Sequence, residues 1–409
     1  MLYQKIRQFW INIFPNKGKN VMVLSLALLM LCVGCKQNTD DEDDETDVDK
    51  TEQQIYGESE KLAETYREIY ETAVEQGNLD TLEVQQRIIN SIGDSGYAAV
   101  DRDDQINMVN YEQVEDFCKS ADEGKKDGVT IISLSGEGGF VRYDMETMNG
   151  EIDVIVSTLR WEENEPQVCY YHEFTAHSWK YTEKGYFFVE EYHPSGYDGA
   201  PGELAFRVKP LDQTCRELNR KYVYPVGYER NKLLIVDWDE QDYSGLDFYD
   251  LYERLYYIKY GTYVPYEAYE GAEYEVPEQE FEGVLQSYFQ IEREQITANT
   301  VYEPNESAYR YRPRGFKDAE LPYGPYPEVI SYEKQEDGTL RLFIEAVWER
   351  KMTDCAVTSE LVVRPLNDGS FQYVSNKVTG WDDTLEILWY KPRLTDEEWE
   401  YYYENKQND

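Results

Sequence analysis

Positive charge is scarce in this chain: 40 Lys and Arg stand against 82 Asp and Glu, giving a formal net charge of −42. Nucleic acid and anionic bilayer surfaces repel such a polyanion, so neither is an expected partner. Histidine is scarcer still, with three in 409 residues: His172, His177 and His193. His172 and His177 frame HEFTAH, one residue longer than the HExxH zinc motif. In an extended strand, positions five apart project to opposite faces, so no zinc site is expected there. The chain also has no G-x-S-x-G, P-loop or dinucleotide fingerprint.

Gly93-Asp94-Ser95-Gly96 shares four letters with a serine-protease motif, but every His follows it and no second matching segment occurs, so it reads as a helix stop. Of the six Cys, the four beyond Cys35 (Cys118, Cys169, Cys215 and Cys355) form no C-x-x-C pair. Four Cys allow three pairings, but buried free thiols are the first expectation and disulfides the alternative, because a chain of this length needs no covalent staples. No catalytic residue, metal or cofactor is assigned. The enzymatic alternative is a hydrolase using a carboxylate pair hidden among the many acids.

A long apolar run is missing too. Val21 to Val33 is uncharged but falls short of the roughly 20 residues that cross a hydrocarbon core. It follows Lys5, Arg7, Lys17 and Lys19 and exits through Leu31-Cys32-Val33-Gly34-Cys35, the layout of a secretory signal peptide. That exit resembles the lipobox of bacterial lipoproteins, which implies cleavage before Cys35 and a diacylglyceryl group on its sulfur. Cys32 stands where the lipobox usually has Leu, which keeps an ordinary secreted form as the alternative. Residues 1–34 are thus expected as a lipoprotein signal peptide. The mature protein is expected at the cell membrane, anchored by lipid and facing away from the cytoplasm. Residues 35–55, dense in Asp and Glu from Asp40 to Asp49, are expected as a disordered tether, since they bury too little to offset their ordering entropy.

With 38 Tyr and 41% hydrophobic residues, the remainder has ample apolar surface for folding. Helical spacing places Leu62, Tyr66, Ile69, Tyr70, Ala73 and Val74 on one face before Gly77 and Asn78, and predicts a second helix from Leu82 to Gly93. A third begins after Asn110 as cap and uses Tyr111, Val114, Phe117 and Cys118. Strand-like runs follow at 129–134, 139–143, 152–158, 168–174 and 186–192, with Asn149-Gly150 and Lys184-Gly185 as turns. Later come a strand at 233–238, a Tyr-rich helix at 246–260 and an amphipathic helix behind Pro277. Four more strand runs, at 329–332, 340–348, 355–364 and 371–378, turn at Asp337-Gly338 and Asp368-Gly369.

The expected class is α+β: helices plus antiparallel β-meanders, arranged as two related helix-plus-meander domains. Asn149-Gly150, Trp161, Cys169 and Tyr186 align with Asp337-Gly338, Trp348, Cys355 and Phe371 as a degenerate duplication, although any two Tyr- and Trp-rich meanders share such a likeness. The domains are placed at 56–226 (N-terminal α+β), 227–277 (a connecting strand, helix and Tyr/Glu-rich segment), 278–392 (C-terminal meander) and 393–409 (a polar helical tail).

GYAAVDRDDQINMVNYEQVEDFC from Gly96, LDQTCRELNRKYVYPVGYERN from Leu211, YRPRGF from Tyr311 and VVRPLNDGSFQYVSN from Val362 resemble an uncharacterised family of clostridial-type Gram-positive membrane lipoproteins. That likeness spans most of the mature chain and implies the outer face of a single-membrane cell. It carries no activity and no functional residues.

Two segments point to binding. Asp237, Asp239, Asp242, Asp247 and Asp250 offer oxygen ligands for Ca²⁺, but the EF-hand Gly and terminal Glu are absent, so a solvated acidic turn is the stronger reading. In YRYRPRGFK, Arg310, Arg312, Arg314 and Lys317 form the one basic stretch, and Arg forks alternating with Tyr rings suit an anion or a glycan. The same side chains also serve as intramolecular counter-charges, their commoner use. The expected function is a lipid-anchored cell-surface interaction or sensory module with a cell-envelope polymer or protein as partner. Its alternatives are a ligand-capturing lipoprotein serving a transporter and a cell-envelope hydrolase.

Metabolic labelling with a palmitate analogue is expected to mark the wild type and to spare Cys35→Ala. Label on that variant, or on Cys32 alone, overturns the lipid assignment.

Overall fold

In the computed structural model, the described residues are 45–197, 199, 201–319, 323–382 and 389–404. The segment expected as a signal peptide, and Cys35, lie outside them. The chain divides into two compact units, up to Thr175 and from Ala176 onward. Both mix helices with mainly antiparallel sheets, so the α+β class holds.

The first unit opens with α1 (Glu45–Glu64), which occupies part of the stretch expected as a tether to residue 55. Ile55, Ser59 and Leu62 are buried, and this anchored helix face propagates toward the N-terminus past the expected boundary. The expected continuous helix breaks at Thr65-Tyr66 before α2 (Arg67–Gln76), where Tyr66 turns its ring into the core and donates its hydroxyl to the Gly138 carbonyl at 3.0 Å. Val74, assigned to the buried face, is 45% exposed. Gly77 does close α2 in the left-handed region, as the sequence predicts.

Helix α3 (Leu82–Asp94) buries Val84, Ile88, Ile89 and Ile92, and α4 (Tyr111–Asp122) follows Asn110. Asn110 occupies the cap position without capping: its amide donates to the carbonyls of Gly93 and Tyr97, tying α4 to the end of α3. The sheet runs in order β1 (Ala98–Asp101), β2 (Asp127–Leu134), β3 (Phe140–Met148), β4 (Glu151–Glu162) and β5 (Glu165–Thr175). Strand β1 pairs parallel to β2, and the rest form an antiparallel meander. All four residues of β1 are buried, so it shows none of the alternation that reveals a strand in sequence.

The second unit starts about fifty residues before the expected domain boundary after residue 226. Strands β6 (Ser178–Tyr181), β7 (Tyr186–Glu190) and β8 (Glu203–Arg207) form a small sheet, and Tyr186 and Phe188 pack on Val347. The Tyr186 hydroxyl and Arg207 both donate to the buried Glu328 carboxylate, at 2.9 and 3.0 Å, which fixes this sheet to the C-terminal half. Helix α5 (Gln213–Leu218) follows. The expected strand at 233–238 is instead a buried turn region ending in the two-residue strand β9 (Trp238–Asp239). Asn231 replaces the ladder there: its amide donates to the carbonyls of Val226, Gly227 and Glu229, and its oxygen accepts from Leu233 N–H.

Next come α6 (Phe248–Tyr260), β10 (Tyr274–Pro277), α7 (Glu278–Tyr288), α8 (Arg293–Thr297), β11 (Tyr302–Glu303) and β12 (Ala308–Tyr311), with β12 between β10 and β11. The Gly261–Pro277 stretch is therefore an internal part of this unit, not an interdomain connection. Strands β13 (Tyr326–Lys334), β14 (Leu340–Val347), β15 (Val357–Pro365) and β16 (Phe371–Trp381) form the second meander, with β9 beside β16. Helix α9 (Asp396–Trp399) and a wider turn through Glu404 end the described chain.

The two five-stranded sheets share a four-stranded meander, but the expected repeat register fails at its turns. Asn149 and Gly150 both lie in the left-handed region, a two-residue hairpin, whereas at Asp337-Gly338 only the glycine does. The Gln335–Thr339 turn has the bonding of Ser135–Gly139, so Gly338 matches Gly138 and β13–β14 match β2–β3. Trp161 on β4 and Trp348 after β14 are then not equivalent, and Tyr186 belongs to a different sheet from β5.

Candidate functional site

The second unit contains a cavity of about 340 Å³ lined by part of the basic stretch. Alternation on β12 explains why. Tyr309 and Tyr311 are fully buried on the core face, which leaves Arg310, and Arg312 just beyond the strand, for the cavity side. Pro313 ends the extended run, and Arg314 turns inward, with its side chain only 3% exposed.

Arg314 meets Asp250, in the first turn of α6, with 0% of its side chain exposed. The guanidinium grips both carboxylate oxygens, Nε to Oδ1 at 2.8 Å and Nη2 to Oδ2 at 2.7 Å. Arg393 adds Nε to Oδ1 at 2.7 Å and the Tyr390 hydroxyl reaches Oδ2 at 3.2 Å, so every lone-pair direction of the buried carboxylate is used. Burial alone would raise the pKa of Asp250. The charge of Arg393, with the hydrogen bond and charge of Arg314, holds it below the usual carboxylate range. The neighbouring Asp247 caps α6, accepting from the N–H groups of Tyr249 and Asp250; burial, then the Asp250 charge, raises its pKa. Arg393 also ion-pairs with Glu253 and donates to the Arg312 carbonyl at 2.6 Å, which fixes the backbone beneath the cavity arginines.

On the cavity wall, Arg310 Nη2 contacts both oxygens of Asp396, at 3.2 and 3.0 Å, and Arg312 Nη1 contacts Oδ1 at 2.6 Å. Arg312 Nε bonds Glu273 at 2.6 Å, and its guanidinium lies 4.0 Å from the centre of the Trp399 ring. Tyr269 and Tyr403 also line the cavity, and Lys232 and Arg393 add positive charge against the carboxylates of Asp247, Asp318 and Asp396. The arrangement suits a compact carboxylate or other oxyanion seated between guanidinium forks and flanked by rings.

The sequence-predicted site residues therefore separate. Arg310 and Arg312 line the cavity, Arg314 is an internal counter-ion behind it, and Lys317 is absent from the lining, with its ammonium over the rings of Phe316 and Tyr402. Of the five Asp proposed as Ca²⁺ ligands, Asp237 accepts from Val378 N–H, Asp239 from the N–H groups of Gln241 and Asp242, Asp242 from Ser244 N–H, and Asp247 and Asp250 are engaged as above. No cluster of three or more metal-binding side chains occurs among the described residues. Cys118, Cys169, Cys215 and Cys355 are free thiols, but Cys169 is exposed and Cys355 half-buried, a departure from the expected full burial. Arg393 and Trp399 escaped sequence reasoning because both fall in the segment read as a polar tail. The one available signal was Thr395-x-x-Glu398, which forms a capping box at the start of α9.

Replacing Arg314 by Gln leaves a buried carboxylate undercompensated and is expected to lower stability by about 3–5 kcal/mol. Arg310→Gln, removing a partly exposed pair, is expected to change it by about 0–1 kcal/mol. Because the Asp250 pKa is lowered in the fold, its stabilising contribution is complete above about pH 4 and is lost as pH falls through the folded value. The difference between wild type and Arg314→Gln in denaturant unfolding should therefore narrow in acid, and equal effects of the two substitutions at neutral pH would contradict this assignment.

No curated protein and no solved structure matches the chain. A family description, "Family of unknown function (DUF6070)", matches residues 52–393. That stretch covers most of both units and the whole Asp250 cluster, and the chain belongs to this family of unknown function.

Proposed function

We propose that this chain is an extracytoplasmic binding module, held at the membrane by lipid on Cys35, whose second unit captures a small acidic ligand. The observation that carries the binding role is the cavity lined by Arg310, Arg312 and Arg393 beside aromatic faces. Its volume of about 340 Å³ falls within the range of small-molecule sites. Location is supported by the signal-peptide layout and lipobox-like exit of residues 1–35. Among the described residues, no helix is long and apolar enough to cross a membrane.

The net charge of −42 favours a compact ligand over a long anionic polymer. A polymer would extend into the repulsive field of the surrounding carboxylates, whereas a small acid meets only the cavity's own charges, where Lys232, Arg310, Arg312 and Arg393 stand against Asp247, Asp318 and Asp396.

Calorimetric titration of the mature chain with uronic acids and acidic di- and tripeptides, each beside its neutral amide counterpart, tests this reading. Acidic members are expected to bind more weakly as salt rises, and to lose roughly 10- to 100-fold in affinity when Arg312 becomes Gln, the loss of one charged hydrogen bond. Equal binding of neutral counterparts, or no binding by any acid, would overturn it.

A further inference from the structure

One wall of the cavity is built by a carboxylate and two rings from the last described segment of the chain, Asp396, Trp399 and Tyr403. Asp396 bridges Arg310 and Arg312, and one helical turn later Trp399 covers the Arg312 guanidinium. Among the described residues, Asp396 is the one carboxylate ion-paired with Arg310. We propose that residues 394–404 are a tethered stand-in for the ligand, and that the ligand is an acidic peptide presenting a carboxylate and an aromatic ring three residues apart. This inference rests on the acidic-ligand reading of the same cavity.

Three observations support exchange of this segment for a ligand. First, its hold is confined to a few side chains. Asp396 is 58% exposed even while paired, Tyr401 is 67% exposed, and Glu397, Glu398 and Glu400 face solvent. Segments with so few buried contacts are the first to open. Second, its root does not share that exposure. Arg393 is locked to Asp250 and Glu253, so the chain can swing from residue 394 without disturbing the core. Third, the family match ends at residue 393, which places Arg310, Arg312 and Arg393 inside the matched stretch and the whole segment beyond it.

A tethered occupant competes at an effective concentration of about millimolar order, so an external ligand binds with its affinity reduced by the fraction of molecules that are open. Weakening the occupant should restore that affinity.

The test uses the full mature chain, as wild type and as the Asp396→Asn/Trp399→Ala variant, with an acetylated synthetic peptide of sequence LTDEEWEYYYE as probe. The variant is expected to bind the peptide at least about tenfold more tightly than wild type. Adding Arg312→Gln, or changing the peptide's Asp to Asn, is expected to remove that binding. The single change Asp396→Asn should act in the same direction, and unchanged melting of both variants verifies that the fold is intact. Equal peptide binding by wild type and variant, or none by either, overturns the proposal. If small acids bind both forms equally while the peptide fails, the stand-in falls and the acidic-ligand reading survives. If the peptide enters the opened cavity and no small acid binds either form, the small-ligand reading falls instead.

Discussion

The cavity side of the second unit is organised around the fully buried carboxylate of Asp250. Asp250 belongs to the first turn of α6, where backbone N–H groups favour a negative charge, and it gathers Arg314 from the chain after β12 with Arg393 and Tyr390 from the last described stretch. Removing an ion from water costs several kcal/mol, and only a fully bonded environment offsets this. Asp250 meets that condition, and in doing so fixes three chain segments at one point. The cavity follows from this geometry. With Arg314 drawn inward and the Arg312 carbonyl held by Arg393, the side chains of Arg310 and Arg312 are left on the open side.

The same chemistry explains how a chain with 82 acidic residues and 38 Tyr packs. Many carboxylates accept hydrogen bonds from tyrosine hydroxyls: Tyr309 donates to Glu282 at 2.8 Å, Tyr311 to Glu253 at 2.8 Å, Tyr302 to Glu278 at 2.5 Å, and Tyr252 to Glu280. Each such pair lets an aromatic ring enter the core while its polar end is satisfied, and gives an acidic side chain a partner without an added cation. Burial first, and then the nearby carboxylate, raise the pKa of Tyr309 and Tyr252, which keeps these hydroxyls protonated as donors.

How far the sequence could be read depended on the range of the interactions involved. The meander strands and the helices after Thr81 and Pro277 were legible because period and turn chemistry are local. Strand β1 was hidden because uniform burial removes alternation, and the turns at 233–237 read as a strand because Leu233, Leu234 and Ile235 are buried by tertiary packing around Asn231. The alternation in YRYRPR pointed to Arg310, Arg312 and Arg314 alike as one basic stretch. It could not show that Arg314 reverses direction after Pro313, because the cause is a carboxylate 64 residues earlier. The role of Arg393 was equally out of reach, as its partners on α6 lie 140 residues or more away.

Division of labour among these arginines is the central claim, and arginine side-chain Nε–H nuclear magnetic resonance during titration with an acidic tripeptide reports on it residue by residue. The account predicts that the resonances of Arg310 and Arg312 move with added ligand, as the Asp396 carboxylate gives way, while that of Arg314 stays fixed on Asp250. A shift of Arg314 of comparable size, or fixed resonances for Arg310 and Arg312 while the tripeptide is bound, would contradict it.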